Sequence, residues 1–213
     1  MSRFGSDPQA FFAEVYRDTA PWDVGEAQPA LIDLFTAFPP AAPVLEVGCG
    51  TGDLAIALAK RGLPVLGVDF VEAAVATAEG RVAALAPDVR RRLAFRVADA
   101  RRPSALGAEF GAVVDSGFLH LFEEPERDRF AEDLARALRP GGRYYLLAFA
   151  VTFPGPHVPR AVSDDELRRR FSPAAGWRLL HCAPATFMSR VAEVPAVAAC
   201  VERAAESSVA ADV

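Results

Sequence analysis

The feature that most constrains this chain is a run of glycines set between two apolar segments. Val44-Leu45-Glu46-Val47 reads as a short buried strand, and Gly48-Cys49-Gly50-Thr51-Gly52 follows at once. Asp53 to Arg61 then has the spacing of an amphipathic helix that stops at Gly62. A strand that turns directly into a helix through glycines lets a ligand approach the backbone N–H groups of the helix start. The G-x-G-x-G spacing departs from the dinucleotide fingerprint, which needs glycine where Asp53 stands. No G-K-[ST] follows, so a phosphate-cradling loop of that type is excluded. Glu46 repels a pyrophosphate and attracts an ammonium, which suits the loop to a zwitterionic amino-acid moiety.

The rest of the chain alternates in the same way. Strands are expected at 64–68, 93–98, 112–115 and 143–150, and helices at 53–61, 71–86, 126–138 and, capped by Ser163, 163–171. This pattern predicts an α/β fold, a Rossmann-like doubly wound sheet that is mostly parallel. Residues 177–182 and 196–203 are two more apolar stretches with no clear crossover helix between them. They read as an antiparallel pair on the sheet edge, the second being compatible also with a terminal helix. Ahead of the alternation, Asp7-Pro8 starts one helix and Pro29 to Phe38 forms another.

Acids close successive strands: Glu46, Asp69, Asp99 and Asp115. In a doubly wound sheet these ends face one crevice. Asp69, after the second strand, is placed to accept both hydroxyls of a ribose, and Asp99 to accept from an adenine amino group. Four acids there favour a cationic ligand, although each alone also suits a helix cap.

With 213 residues and 52% hydrophobic side chains, the chain is long enough for one well-filled domain. The net charge of −5, with arginines scattered in short runs, argues against a nucleic-acid partner. No apolar run approaches the roughly 20 residues of a membrane span. The N-terminal residues carry charges throughout and do not read as a secretion signal. Three cysteines without a C-x-x-C argue against a disulfide framework or a thiolate metal site. The expectation is a cytoplasmic protein, monomer or homodimer, without membrane or metal.

The segments VLEVGCGTGDLAIALAKRG (44–62), GVDF (67–70), VADA (97–100), VVDSGFLHLF (113–122) and LRPGGRYYLL (138–147) resemble the class I S-adenosylmethionine-dependent methyltransferases. The resemblance implies seven strands with an antiparallel C-terminal strand. The chain is read as a single domain, 1–213, with an N-terminal helical cap or lid (1–40), a cofactor-binding core (43–150), to which the resemblance extends, and a substrate-side loop with C-terminal strands (151–213). The stretch Ala20-Pro21-Trp22-Asp23-Val24-Gly25-Glu26-Ala27-Gln28-Pro29 is similar to a segment of the thiopurine and tellurite-type enzymes. It is more similar still to bacterial enzymes that methylate heterocycles such as hydroxyquinolones and benzoquinone-like toxins.

By this resemblance S-adenosylmethionine is the cofactor and S-adenosylhomocysteine the product. Gly48, Cys49, Gly50, Thr51 and Gly52 line its methionine part, and Glu46 positions the ammonium. Asp69 binds the ribose, Phe70 packs on the adenine, and Asp99 with Ala100 reads the adenine edge. Asp115 and Ser116 lie near the sulfur, while Trp22 and Gln28 close the cavity or simply staple the cap to the core. Cys49 is read as a small filler rather than a nucleophile. His120 is the candidate general base, the alternative being a packed histidine with one satisfied nitrogen. Phe12, Tyr16, Phe153 and His157 are candidate substrate contacts, with Phe4 and Phe11 as further parts of an aromatic lid.

The expected reaction is methyl transfer to a small hydrophobic aromatic or heterocyclic acceptor, at oxygen. The rivals are a thiol, thiopurine or chalcogen methyltransferase and a non-catalytic S-adenosylmethionine-binding regulatory protein.

Overall fold

The computed structural model describes residues 4–205. The strands are β1 (Val44–Val47), β2 (Val65–Asp69), β3 (Leu93–Val97), β4 (Phe110–Ser116), β5 (Leu138–Phe149), β6 (Trp177–Met188) and β7 (Glu193–Arg203). They form one sheet of order β3-β2-β1-β4-β5-β7-β6. The first five are parallel, and β7 runs antiparallel between β5 and β6.

The helices are α1 (Pro8–Val15), α2 (Pro29–Ala37), α3 (Asp53–Lys60), α4 (Glu72–Val82), α5 (Pro87–Arg90), α6 (Glu124–Ala137) and α7 (Asp164–Arg170). Their starts follow from local chemistry. Asp7 accepts from the Ala10 N–H at 3.0 Å with Pro8 in the first turn, and Ser163 accepts from Glu166 N–H at 3.1 Å. Glu123 and Glu126 form a reciprocal capping box ahead of α6.

Helices cover both sheet faces, which is why the central strands read as unbroken apolar runs. Leu45, Val113, Tyr144 and Leu146 pack on one side with Phe130 and Leu134 of α6 and Leu167 of α7. Val44, Val114, Tyr145 and Leu147 pack on the other with Leu31 and Phe35 of α2 and Leu54 and Leu58 of α3. The stretch 196–203 is resolved as strand by the same alternation: Ala196, Ala198 and Cys200 face the second cluster, Val197, Ala199 and Val201 the first. No helix of the described residues is long and apolar enough to cross a membrane.

Four elements depart most from the sequence pattern. The helix expected over 71–86 ends at Val82, and Pro87 starts the separate short α5. β5 begins at Leu138, and its pairing with β4 shifts register between Phe110 and Ala112, so the Pro140-Gly141-Gly142 stop is accommodated as a bulge. The last two strands are much longer than the apolar stretches that announced them.

β1 lies between β2 and β4, so the connections leaving β1 and β4 part in opposite directions. That switch point opens a crevice at the carboxyl ends of the strands.

Candidate active site

The glycine loop fills one side of the crevice. Gly48, Gly50 and Gly52 have φ of +65°, +50° and +87°, conformations that side chains disfavour. A Cβ on Gly48 would lie 2.7 Å from the Phe118 ring, and one on Gly52 2.6 Å from Phe95, so the loop is clamped from two sides. Asp69 accepts from the Gly50 N–H at 3.0 Å and the Val71 N–H at 2.9 Å. Burial raises its pKa against those backbone bonds. A carboxylate has about four lone-pair directions, so capacity remains on a group that lines the cavity.

The cavity measures about 360 Å³. Glu46, Gly48 to Thr51, Asp69 and Phe70 line one part of it; Ser116, His120, Phe149, Phe153, His157 and Phe187 line another. Phe4, Phe11, Phe12, Tyr16 and Trp22 close it from the N-terminal side. Trp22 meets two of them edge to face, its ring centroid 6.0 Å from both Phe12 and Tyr16, and its Nε1–H donates to the Tyr16 hydroxyl at 3.2 Å.

Glu46 is buried, and its Oε2 has no hydrogen-bond partner. Burial lifts its pKa well above the carboxylate range, opposed by a backbone bond from Ala55 and reinforced by Asp53, Asp69 and Asp115. An orphaned carboxylate oxygen on a cavity wall lacks a cation, and the ammonium of a zwitterionic cofactor supplies one. Glu46, the three-glycine turn and Asp69 therefore fit the methionine and ribose ends of S-adenosylmethionine.

Other expected contacts lie elsewhere. Asp99 is engaged by Arg101 through Nε at 2.8 Å and Nη2 at 2.9 Å, and neither it nor Ala100 lines the cavity. Gly52 lies behind the wall, with Asp53 in front. Asp115 turns into the core and accepts from Phe118 N–H, Leu119 N–H and the Tyr144 hydroxyl. Its side chain thereby fixes the turn after β4, while Ser116 lines the cavity. The Cys49 thiol is buried and pushed well up by desolvation and by Glu46, as befits a filler.

His120 lines the cavity and is 4% exposed. Its Nδ1 accepts the Phe149 backbone N–H at 3.0 Å, which places the neutral ring's proton on Nε2. Burial, with Arg127 nearby, pushes its pKa down to about 3. Both properties weigh against the base role and correspond to the alternative, a packed histidine with one satisfied nitrogen.

Thr51 and Gln28 were expected at the site, but the partners that hold them were not evident from the sequence, nor were Arg81, Val191 and Val194. Thr51 donates its hydroxyl to Asp23 at 2.8 Å, tying the glycine loop to the cap, and Arg81 grips Thr51 O and Asp53 from α4. Gln28 is clamped to Met188 by two bonds, at 2.9 and 2.7 Å, which holds the cap on the β6–β7 hairpin. Val191 and Val194 of that hairpin join Phe187 on the wall. Cap and hairpin are 160 residues apart in sequence at Gln28 and Met188, so no local signal announces their meeting. Among the described residues no group of three His, Cys, Asp or Glu is placed to hold a metal.

Residues 44–142 match the model of a methyltransferase domain. The 2-heptyl-1-hydroxyquinolin-4(1H)-one methyltransferase of Mycobacteroides abscessus is 31% identical over 173 residues, 75% of this chain and 74% of that protein. A probable thiol methyltransferase of Arabidopsis thaliana is 28% identical over 156 residues, covering 72% of this chain and 67% of its own. A solved structure described for the conversion of a disulfide bond into a thioacetal group during echinomycin biosynthesis superposes with a TM-score of 0.79 at 30% identity, covering 94% of each chain. The crevice at the switch point, the strand order and these relatives agree: the chain belongs to the class I S-adenosylmethionine-dependent methyltransferases of small-molecule type.

Proposed function

We propose that this methyltransferase acts on an oxygen of a small, flat, apolar aromatic heterocycle. The observation that carries the reading is the wall beside Ser116. Phe149 stacks edge to face with Phe187 at 5.0 Å and with Phe153 at 5.7 Å, and Phe11 lies 5.3 Å from the His157 ring across the opening. Such a slot takes a planar ring by area burial and ring contacts and offers few polar atoms to anything else. The hydroxyquinolone methyltransferase relative supports the same substrate class.

When bound, S-adenosylmethionine supplies an electrophilic methyl group on a sulfonium and leaves as S-adenosylhomocysteine. The protein's part is orientation and dryness. Glu46 holds the ammonium, the backbone of Gly48 to Gly50 follows the methionine part, Asp69 takes the ribose hydroxyls and Phe70 packs on the adenine. Trp22, Tyr16 and Phe12 exclude water from above. Ser116 brings the β4 end to the junction of cofactor and acceptor.

A sulfur acceptor is the second reading, favoured by the thiol methyltransferase relative and compatible with the same apolar slot. A panel of hydroxyquinolones, other N-hydroxy and phenolic heterocycles, and aromatic and aliphatic thiols, assayed for S-adenosylhomocysteine release, separates the two. The proposal expects kcat/KM for the hydroxylated heterocycles to exceed that for thiols. Turnover confined to thiols would replace it with the second reading.

A further inference from the structure

We infer that His120 is a specificity-determining donor: its Nε2–H receives the acceptor atom as an anion, so that this site selects acceptors that arrive already ionised. The inference rests on the small-acceptor reading above and says how that slot recognises its substrate.

The geometry leaves the ring one role. A backbone N–H cannot give up its proton, so the Phe149 N–H, 3.0 Å from Nδ1, requires a lone pair there. The proton of the neutral ring is then on Nε2, where no described residue accepts it. The Phe149 ring stacks at 4.3 Å and fixes the imidazole plane. The position of a Cβ on Gly117 is 3.3 Å from Nε2 and 3.1 Å from Phe187, so the absence of a side chain there keeps the Nε2 edge clear at the β4 end. Phe149, Phe187 and Gly117 bring no titratable group to the ring. The charged group that acts on it is Arg127 of α6, and Glu46 and His157 share the cavity. A positive neighbour and burial both hold the ring neutral.

A neutral donor does not take a proton from a hydroxyl, but it stabilises an oxyanion or thiolate. The step then balances without a base. The acceptor's lone pair forms the bond to the methyl carbon as the methyl–sulfur bond breaks, and that pair stays on sulfur. The acceptor's negative charge and the sulfonium's positive charge are both removed, and no proton is released.

The test uses the chain loaded with S-adenosylhomocysteine and 4-nitrophenol as the probe, whose phenolate and phenol absorb differently. The expected result is preferential binding of the phenolate. His120→Gln, whose amide can still accept from Phe149 and donate to the probe, retains that preference within a few-fold. His120→Met, which cannot donate, weakens phenolate binding about tenfold to hundredfold. Nitrogen NMR of the unsubstituted protein supplies a readout independent of any variant: the His120 ring stays neutral, protonated on Nε2, from pH 5 to 8. Absence of phenolate binding, preference for the neutral phenol, or a ring that titrates near neutrality would each overturn the inference. Failure of the acceptor panel to yield any methylated product bears on the small-acceptor reading alone, because the probe and the NMR require no turnover.

Discussion

Tyr144 donates its hydroxyl to Asp115 at 2.6 Å beneath the turn that carries His120. The same carboxyl accepts the Phe118 and Leu119 N–H groups, so three donors converge on one fully buried acid. Removing that acid leaves all three buried without an acceptor, at roughly 1–3 kcal/mol each. Asp115→Ala is therefore expected to lower stability by at least about 3 kcal/mol, measured by urea unfolding.

The same residue makes a pH prediction. Burial pushes the Asp115 pKa from 3.8 up to about 6. A raised folded pKa contributes stability that is full below the unfolded value and is lost as pH rises through the folded one. The stability of the unsubstituted protein minus that of Asp115→Asn should therefore fall by roughly 2 kcal/mol between pH 4 and pH 7. An unchanged difference across that window would mean that the carboxyl is not held protonated by burial.

Glu46 links the cofactor to a proton. Its raised pKa favours the neutral acid, and a bound ammonium reverses that preference. Binding of S-adenosylmethionine should release a proton, visible as a buffer-dependent heat in calorimetry, and affinity should rise with pH. In Glu46→Gln the proton release at this position disappears and affinity falls about tenfold, the equivalent of ~1.4 kcal/mol.

Gly48 and Gly25 separate two costs. Both have positive φ, but a Cβ on Gly48 meets Phe118 at 2.7 Å while one on Gly25 meets open space. Gly25→Ala should cost about 1 kcal/mol from backbone strain alone. Gly48→Ala should cost more and also weaken cofactor binding, because the ring it displaces packs against the loop. Thermal unfolding and cofactor titration of the two variants check both statements.

Arg127 fastens the loop after β5 to α6. It is buried, pairs with Glu166 at 2.8 Å, and donates to the carbonyls of Phe122, Arg160 and Ala161, while the Arg160 N–H donates to His120 O. Arg127→Ala leaves Glu166 with Arg170 as its remaining partner and takes this donor from three carbonyls, with an expected loss of about 3 kcal/mol in chemical denaturation.

What the sequence disclosed was chain-local. The glycines between Val47 and Asp53, the capped starts at Asp7 and Ser163, and the acid closing β2 each depend on neighbours a few residues away, and the fold follows from their alternation. Strand-end acids look alike in sequence but meet different fates. Asp69 bonds the loop and lines the cavity, Asp99 is taken by Arg101 two residues on, and Asp115 is drawn back to Phe118, Leu119 and Tyr144. The far wall was not legible, because Phe187, Val191 and Val194 reach the cavity only once β7 has inserted between β5 and β6. For His120 the sequence left two readings, a base or a packed histidine with one satisfied nitrogen, because the deciding partner is a backbone N–H 29 residues away on β5.

The most direct test of the central claim is to follow the methyl group itself. The protein is incubated with isotope-labelled S-adenosylmethionine and a 1-hydroxyquinolin-4-one acceptor, and the labelled product is examined by NMR. The expected product carries a single labelled methyl on the hydroxyl oxygen, formed in step with S-adenosylhomocysteine. Label on carbon or ring nitrogen, or no transfer to this acceptor while a thiol is methylated, would contradict the claim.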